Sequence, residues 1–140
     1  MTEKMHMHDK VFLDTNVLVY LYDKDKRKKQ IAKSLLGKHP VISTQVLNEF
    51  NNISLKKLHI PIDELTLILS TIMEYTTLVL FDERTIIKAL EIKKRYQFGY
   101  YDSLILATAI ENDCTLVYSE DMQHNQMIFD QLKIHNPFLP

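Results

Sequence analysis

Apolar positions along this chain come in two alternating patterns. Short, unbroken runs such as Val11-Phe12-Leu13, Val41-Ile42 and the stretches 78–81 and 115–118 are rich in β-branched and aromatic residues and predict buried strands. Between them lie longer stretches with helical spacing: 16–22, 26–36, a helix capped by Ser43 or Thr44 and running to Leu58, one opened by Pro61 and running to Tyr75, one capped by Asp82 and running to Tyr96, and 101–112. Gly37 with Pro40, and Gly99, read as helix stops, and 133–135 as a possible fifth strand at the sheet edge. Continuously apolar strands alternating with helices predict an α/β fold, a three-layer α/β/α sandwich around a mostly parallel sheet of four or five strands. No repeat, low-complexity tract or linker interrupts the pattern, so one domain over 1–140 is expected.

Ligands of such folds bind beyond the carboxyl ends of the strands, so the acids found there matter. Asp14 directly follows the first strand, where an ionised group is costly unless hydrogen-bonded or paired with a cation. The plainer role for Asp14 or Thr15 is to cap the following helix. Asp121 lies just past the fourth strand, and its plainer role is likewise a cap; its neighbour Glu120 is expected to point to solvent. Asp102 opens the helix 101–112, where an acid also complements the helix dipole; with Ile105 three residues on, no capping box forms. Glu49 borders the apolar stripe of Val46, Leu47, Phe50 and Ile53 rather than opposing it, which predicts partial burial. Asp82 also ends a strand, but its context is that of a plain helix cap, and it is left out of the site.

Composition removes several alternatives. With only Gly37 and Gly99, neither a Walker A loop nor a dinucleotide fingerprint can be assembled, and there is no GxSxG, HExxH or CxxC. The only cysteine, Cys114, precedes an apolar run and reads as buried filler; a reducing cytoplasm is the expected location. No apolar run approaches the roughly 20 residues of a membrane span, and the first ten residues lack the apolar stretch of a secretory signal. The net charge of −1 becomes +3 once four metal-bound carboxylates are set aside. Basic residues cluster at Lys24, Lys26, Arg27, Lys28 and Lys29, at Lys56 and Lys57, and at Lys93, Lys94 and Arg95. Each cluster on its own is a solvated helix face; together they allow a phosphate-contacting rim.

If Asp14, Glu49, Asp102 and Asp121 converge, each raises the others' pKa, and a hard divalent cation such as Mg²⁺ or Mn²⁺ resolves the repulsion. Such an ion acidifies a bound water and stabilises charge on a phosphodiester, which suits hydrolysis without a protein nucleophile. A haloacid-dehalogenase-type phosphatase would need a second Asp at the position of Asn16, and a receiver domain's phosphoacceptor and signalling lysine have no evident placement.

Four segments, Leu13-Asp14-Thr15-Asn16-Val17-Leu18, Gln45-Val46-Leu47-Asn48-Glu49-Phe50, Tyr101-Asp102-Ser103-Leu104-Ile105-Leu106-Ala107-Thr108-Ala109 and Tyr118-Ser119-Glu120-Asp121-Met122, resemble the PIN-domain family in order and spacing. The tail from Gln123-His124-Asn125-Gln126 to Asn136-Pro137-Phe138 is similar to one bacterial subgroup. The resemblance implies an endoribonuclease that leaves 5′-phosphate and 3′-hydroxyl ends. Asp14 and Asp102 would be direct metal ligands, and Glu49 and Asp121 would complete the acidic cluster, directly or through water. Asn16 and Ser119 would position the acids or the substrate. His124 reads as an exposed-loop histidine that could touch substrate.

Because the family includes VapC-type toxins, the resemblance also implies RNA as substrate and an antitoxin protein as partner. A homodimer is expected, and the helices in 16–36 and from Pro61 to Tyr75 offer surfaces for a second copy or an inhibitor helix. The chain reads as a bare catalytic domain without an RNA-recognition module. A housekeeping RNA-processing nuclease and a non-catalytic binding module are the alternatives; the four intact acids count against the latter.

Overall fold

The computed structural model describes residues 9–140; the amino-terminal stretch that bears on a secretory signal falls largely outside them. Six strands, β1 (Val11–Leu13), β2 (Val41–Ser43), β3 (Thr77–Val79), β4 (Leu116–Tyr118), β5 (Met127–Ile128) and β6 (Leu132–His135), form one sheet in the order β3-β2-β1-β4-β6-β5. All neighbours are parallel except β5 and β6. Six helices connect them: α1 (Thr15–Tyr20), α2 (Lys26–Leu36), α3 (Thr44–Lys56), α4 (Ile62–Glu74), α5 (Glu83–Tyr96) and α6 (Tyr100–Glu111).

Phe12 in β1 pairs with Val41 on one side and Val117 on the other, so β1 is the middle of the sheet. The chain winds outward from β1 through β2 to β3, then returns to build the other half from β4. The strand order therefore reverses between β1 and β4, where a parallel sheet opens a crevice at its carboxyl edge. Phe12, Leu13, Ile42, Val117 and Ile134 are fully buried between the helical layers. Helix α6 packs against β2 and β6 with α5 along it, while α1 packs against α2 and α3. Every residue from Ser103 to Ala109 is buried, so α6 is a core helix rather than an amphipathic one.

The α/β sandwich expected from the apolar pattern is present, with three corrections. The sheet has six strands rather than four or five, because Met127–Ile128 is too short to give a periodic signal. The strand at 132–135 lies inside the sheet, between β4 and β5. The third strand spans Thr77–Val79 rather than 78–81; it is one of the two edges, opposite β5, and its first two residues are exposed, so it is not covered on both faces. Gly99 has ordinary φ as the N-cap of α6, and the left-handed turn that ends α5 is at Gln97, with φ of 68°. Cys114 is buried as expected, and burial pushes its thiol up to about 12, which leaves it protonated and inert. Among the described residues, no helix is long and apolar enough to cross a membrane.

Candidate active site

The end of β1 delivers Asp14 into the crevice, and its place is fixed twice. Its backbone N–H donates to the Tyr118 carbonyl at 3.0 Å, continuing the β1–β4 ladder by one rung. Its carboxylate caps α1 by accepting from the Thr15 N–H at 2.7 Å. The cap and the candidate ligand are thus the same residue. The second oxygen accepts from the Ser119 hydroxyl at 2.7 Å and from Asn16 Nδ2 at 3.4 Å. Asp14 is only 5% exposed. Burial pushes its pKa up to about 6, the hydrogen bonds from Ser119 and Thr15 oppose that rise, and the charges of Asp102 and Glu49 add to it.

The other three acids come from separate elements. Glu49, on α3 and partly buried as its stripe position predicted, accepts from the Thr15 hydroxyl at 2.7 Å and from Gln45 Nε2 at 3.4 Å. Asp102 stands in the first turn of α6, half-buried; burial raises its pKa first, then the charges of Asp121 and Glu49. Asp121 is exposed beyond β4 and accepts from Asn16 Nδ2 at 3.0 Å. Asn16 therefore bridges Asp14 and Asp121 through one amide nitrogen, while its Oδ1 accepts from the Glu120 N–H at 3.1 Å. Ser119 is fully buried; its hydroxyl donates to Asp14 and accepts from the Met122 N–H at 3.3 Å.

Asp14, Glu49, Asp102 and Asp121 line a single cleft of about 540 Å³, with Asn16 beside them. Among the described residues, no three acid, histidine or cysteine side chains are gathered tightly enough to form a closed metal cage. The donor chemistry nonetheless fits a hard divalent ion. All the donors are oxygens, and Asp14 and Asp102 are each held above the ordinary carboxylate range partly by their acidic neighbours.

Three neighbours, Thr15, Glu120 and Lys28, have roles that the sequence does not assign to them. Thr15 joins the Asp14 cap to Glu49 and so couples α1 to α3. Glu120 does not simply face solvent: it is half-buried, pairs with Lys28 Nζ at 2.7 Å and accepts from the Tyr20 hydroxyl at 2.5 Å. Lys28 also lies over the Tyr20 and Phe138 rings, at 4.6 and 5.7 Å from their centroids. This network pins the segment between Ser119 and Asp121 to α1 and α2. His124 is half-buried rather than loop-exposed; its Nδ1 accepts from the Asn136 N–H at 2.9 Å and its ring packs on His135.

Asp82 is a plain cap, as its context implied. It accepts from the Arg84 and Thr85 N–H groups in a capping box and pairs with Arg84, which holds its carboxyl below the usual range. It lines a different cavity, with Arg84, Thr85 and Glu111. The three basic clusters have different surroundings. Lys57 lines the acidic cleft, and Lys28 is committed to Glu120. Lys93, Lys94 and Arg95 occupy the last turn of α5, where cations complement the helix dipole, and Arg95 stacks on Tyr96 and Phe129.

The sequence profile of the family described as PIN domain matches residues 11–129. Among curated proteins, none matches the chain. Solved structures with the same fold include a toxin–antitoxin complex from Klebsiella pneumoniae, at 18% identity and a TM-score of 0.69, covering 92% of this chain and 98% of that one. DNA-bound VapBC from Salmonella typhimurium is similar at 20% identity and a TM-score of 0.68, with the same coverage. VapC20 from Mycobacterium tuberculosis, a toxin described as cleaving the sarcin–ricin loop, is similar at 15% identity and a TM-score of 0.63, covering 77% of this chain and 87% of that one.

Proposed function

This chain belongs to the PIN domain family, and from that premise we propose that it is a divalent-metal-dependent endoribonuclease acting as the toxin of a toxin–antitoxin pair. The observation that carries this reading is the convergence of Asp14, Glu49, Asp102 and Asp121 in one cleft at the switch point of the sheet. Burial and mutual repulsion raise the pKa of two of them. A fold gains nothing from that repulsion unless a cation relieves it.

Asp14 and Asp102 would hold Mg²⁺ or Mn²⁺, with Glu49 and Asp121 completing the charge directly or through water. When bound, the ion supplies an acidified water and charge stabilisation on the phosphodiester. The chain's own groups do the rest. Ser119 and the Thr15 N–H hold Asp14 in one rotamer, and hydrogen bonds to the ionised form favour the charged state that a cation needs. Asn16 spaces Asp121 from Asp14, and Thr15 holds one Glu49 oxygen tightly, while the other carries only the long 3.4 Å bond from Gln45 and keeps a lone pair for the attacking water or the ion.

The toxin reading draws on the toxin–antitoxin complexes among the structural neighbours. Beside the acids, the same cleft offers the apolar Val19, Ile53 and Leu58. An inhibitor helix could lay its apolar face there and place an Arg or Lys among the carboxylates, which supplies the same compensating charge as the metal. Ile62 and Leu67, each 71% exposed on α4, provide surface for a second copy. The test is induced expression in a bacterial host: growth should stop with the wild type and continue with Asp14→Asn. Unimpaired growth with soluble, metal-loaded wild type, in a host whose extracted RNA the protein cuts in vitro, would contradict the toxin role and leave a housekeeping nuclease.

A further inference from the structure

A second cleft, of about 370 Å³, also has Glu49 in its wall. Glu49 lines both clefts, and Tyr101, in the second, directly precedes Asp102, in the first. The two clefts therefore share one carboxylate as a wall, and adjacent residues of α6 line them. Their chemistry differs. Of the residues lining the second cleft only Glu49 is charged, and no Lys or Arg is present to receive a phosphate. Phe81 and Leu104 supply apolar surface, Tyr101 an aromatic ring, and Gln45 and Asn48 two amides.

Tyr101 is 65% exposed, yet its ring is oriented: Tyr100 meets it edge to face, with centroids 5.3 Å apart and planes at 68°. Its backbone carbonyl accepts from Gln45 Nε2 at 3.1 Å, which ties the start of α6 to α3. The same Nε2 reaches Glu49 at 3.4 Å, so the amide nitrogen is spoken for, while Gln45 Oε1 is buried and receives no hydrogen bond. Asn48 is exposed on the same helix, three residues on. A neutral, flat ligand with donors and acceptors on its rim and an apolar face matches this set. Unstacked nucleobases have that character: they stack on aromatic rings and are read at their edges by amides.

We propose that the cleft between Tyr101 and the Gln45–Asn48 segment binds one unstacked nucleobase of the RNA strand, next to the phosphate held at the acidic cluster. The proposal rests on the ribonuclease reading. Tyr101 is the stacking platform, Asn48 reads the base edge, and a cleft without Lys or Arg gives phosphate no partner on the base side, so the strand enters in one register. Base choice at one position beside the cut is then set here rather than by the metal ligands.

The test uses a randomised eight-nucleotide RNA pool with Mg²⁺, sequencing of the cut ends, and an oligonucleotide carrying an abasic residue at the preferred position. Wild type should prefer one base class there, and the abasic substrate should be cut about tenfold more slowly. Tyr101→Ala should lose about the same factor on the intact substrate and be indifferent to the abasic change, with an unaltered melting temperature. Asn48→Ala should change which base is preferred and provides a second readout should Tyr101→Ala fold poorly. If both variants cut with the wild-type preference and the wild-type abasic penalty, the base subsite is wrong while the nuclease reading stands. If the variants lose only binding of a protein partner, the cleft is a protein contact and the proposal is overturned. If wild type neither binds nor cuts any RNA in the pool, both readings fall.

Discussion

The Ser119 hydroxyl donates to Asp14 Oδ2 at 2.7 Å, and with that bond the end of β4 steadies the acid at the end of β1. Both residues are buried, so the bond is made without competition from bulk water. It favours the ionised carboxylate against the burial that disfavours it.

Ser119→Ala should therefore raise the Asp14 pKa further. The expected outcome is a loss of about tenfold in cleavage at neutral pH, as for other residues that orient a metal ligand. The acid limb of the pH–rate profile should move to higher pH. A drop in rate with an unmoved acid limb would mean that Ser119 acts on something other than Asp14.

Asp14→Asn and Asp102→Asn should each abolish cleavage and leave the metal-free protein as stable as wild type or more so. Replacing a buried or repelled carboxylate with a neutral amide removes unfavourable charge, so the melting temperature should hold or rise. Asp82→Asn should keep wild-type activity, because Asp82 lies on a different cavity. Thermal denaturation in EDTA, beside cleavage assays, separates the two effects; equal loss of activity in all three variants would contradict the division between site and cap.

The same burial has a pH signature. Asp14 in the folded chain has its pKa raised from 3.8 to about 6, so between those values the folded state holds a proton that the unfolded state releases. Where the folded state binds more protons, stability falls as pH rises. The metal-free protein should thus gain stability from Asp14 as pH drops from about 7 towards about 4, a gain absent from Asp14→Asn. In saturating Mn²⁺ the Asp14 contribution should reverse, since protons then compete with the ion. Melting curves for wild type and Asp14→Asn at several pH values, with and without Mn²⁺, measure the difference.

Much of this was legible in the sequence for a physical reason. Strands covered on both faces must be apolar throughout, and acids at their carboxyl ends are costly enough to stand out; Asp14 and Asp121 were found that way, and Glu49 by its place on the edge of an apolar stripe. What stayed hidden depends on long-range geometry. The Lys28–Glu120 pair joins residues 92 positions apart, and nothing near Glu120 distinguishes it from a solvated loop acid. Thr15 was concealed by its own neighbour, because Asp14 and Thr15 competed for one capping role and the chain uses Asp14 for it. β5 has only two residues, one of them exposed, so it carries no alternation to read.

Lys28 offers a test of that hidden network. Lys28→Met keeps the stem against Tyr20 and Phe138 but removes the charge facing Glu120. The segment bearing Ser119 and Asp121 should loosen, and cleavage should fall several-fold. Glu120→Gln should lose a similar factor, and the double variant no more than either single one, because each removes the same interaction. Additive losses would show that the pair is not the unit that matters.

The central claim is that four carboxylates on separate elements form one metal-dependent centre for RNA cleavage. Its most direct test is cleavage of a labelled structured RNA by wild type and Asp102→Asn in Mg²⁺ or Mn²⁺, with EDTA added and the metal then restored. Wild type should cut with metal, fall to background in EDTA and recover when the ion is restored, and Asp102→Asn should not cut under any condition. Wild-type cleavage that continues unchanged in EDTA, or that survives Asp102→Asn, would contradict that claim.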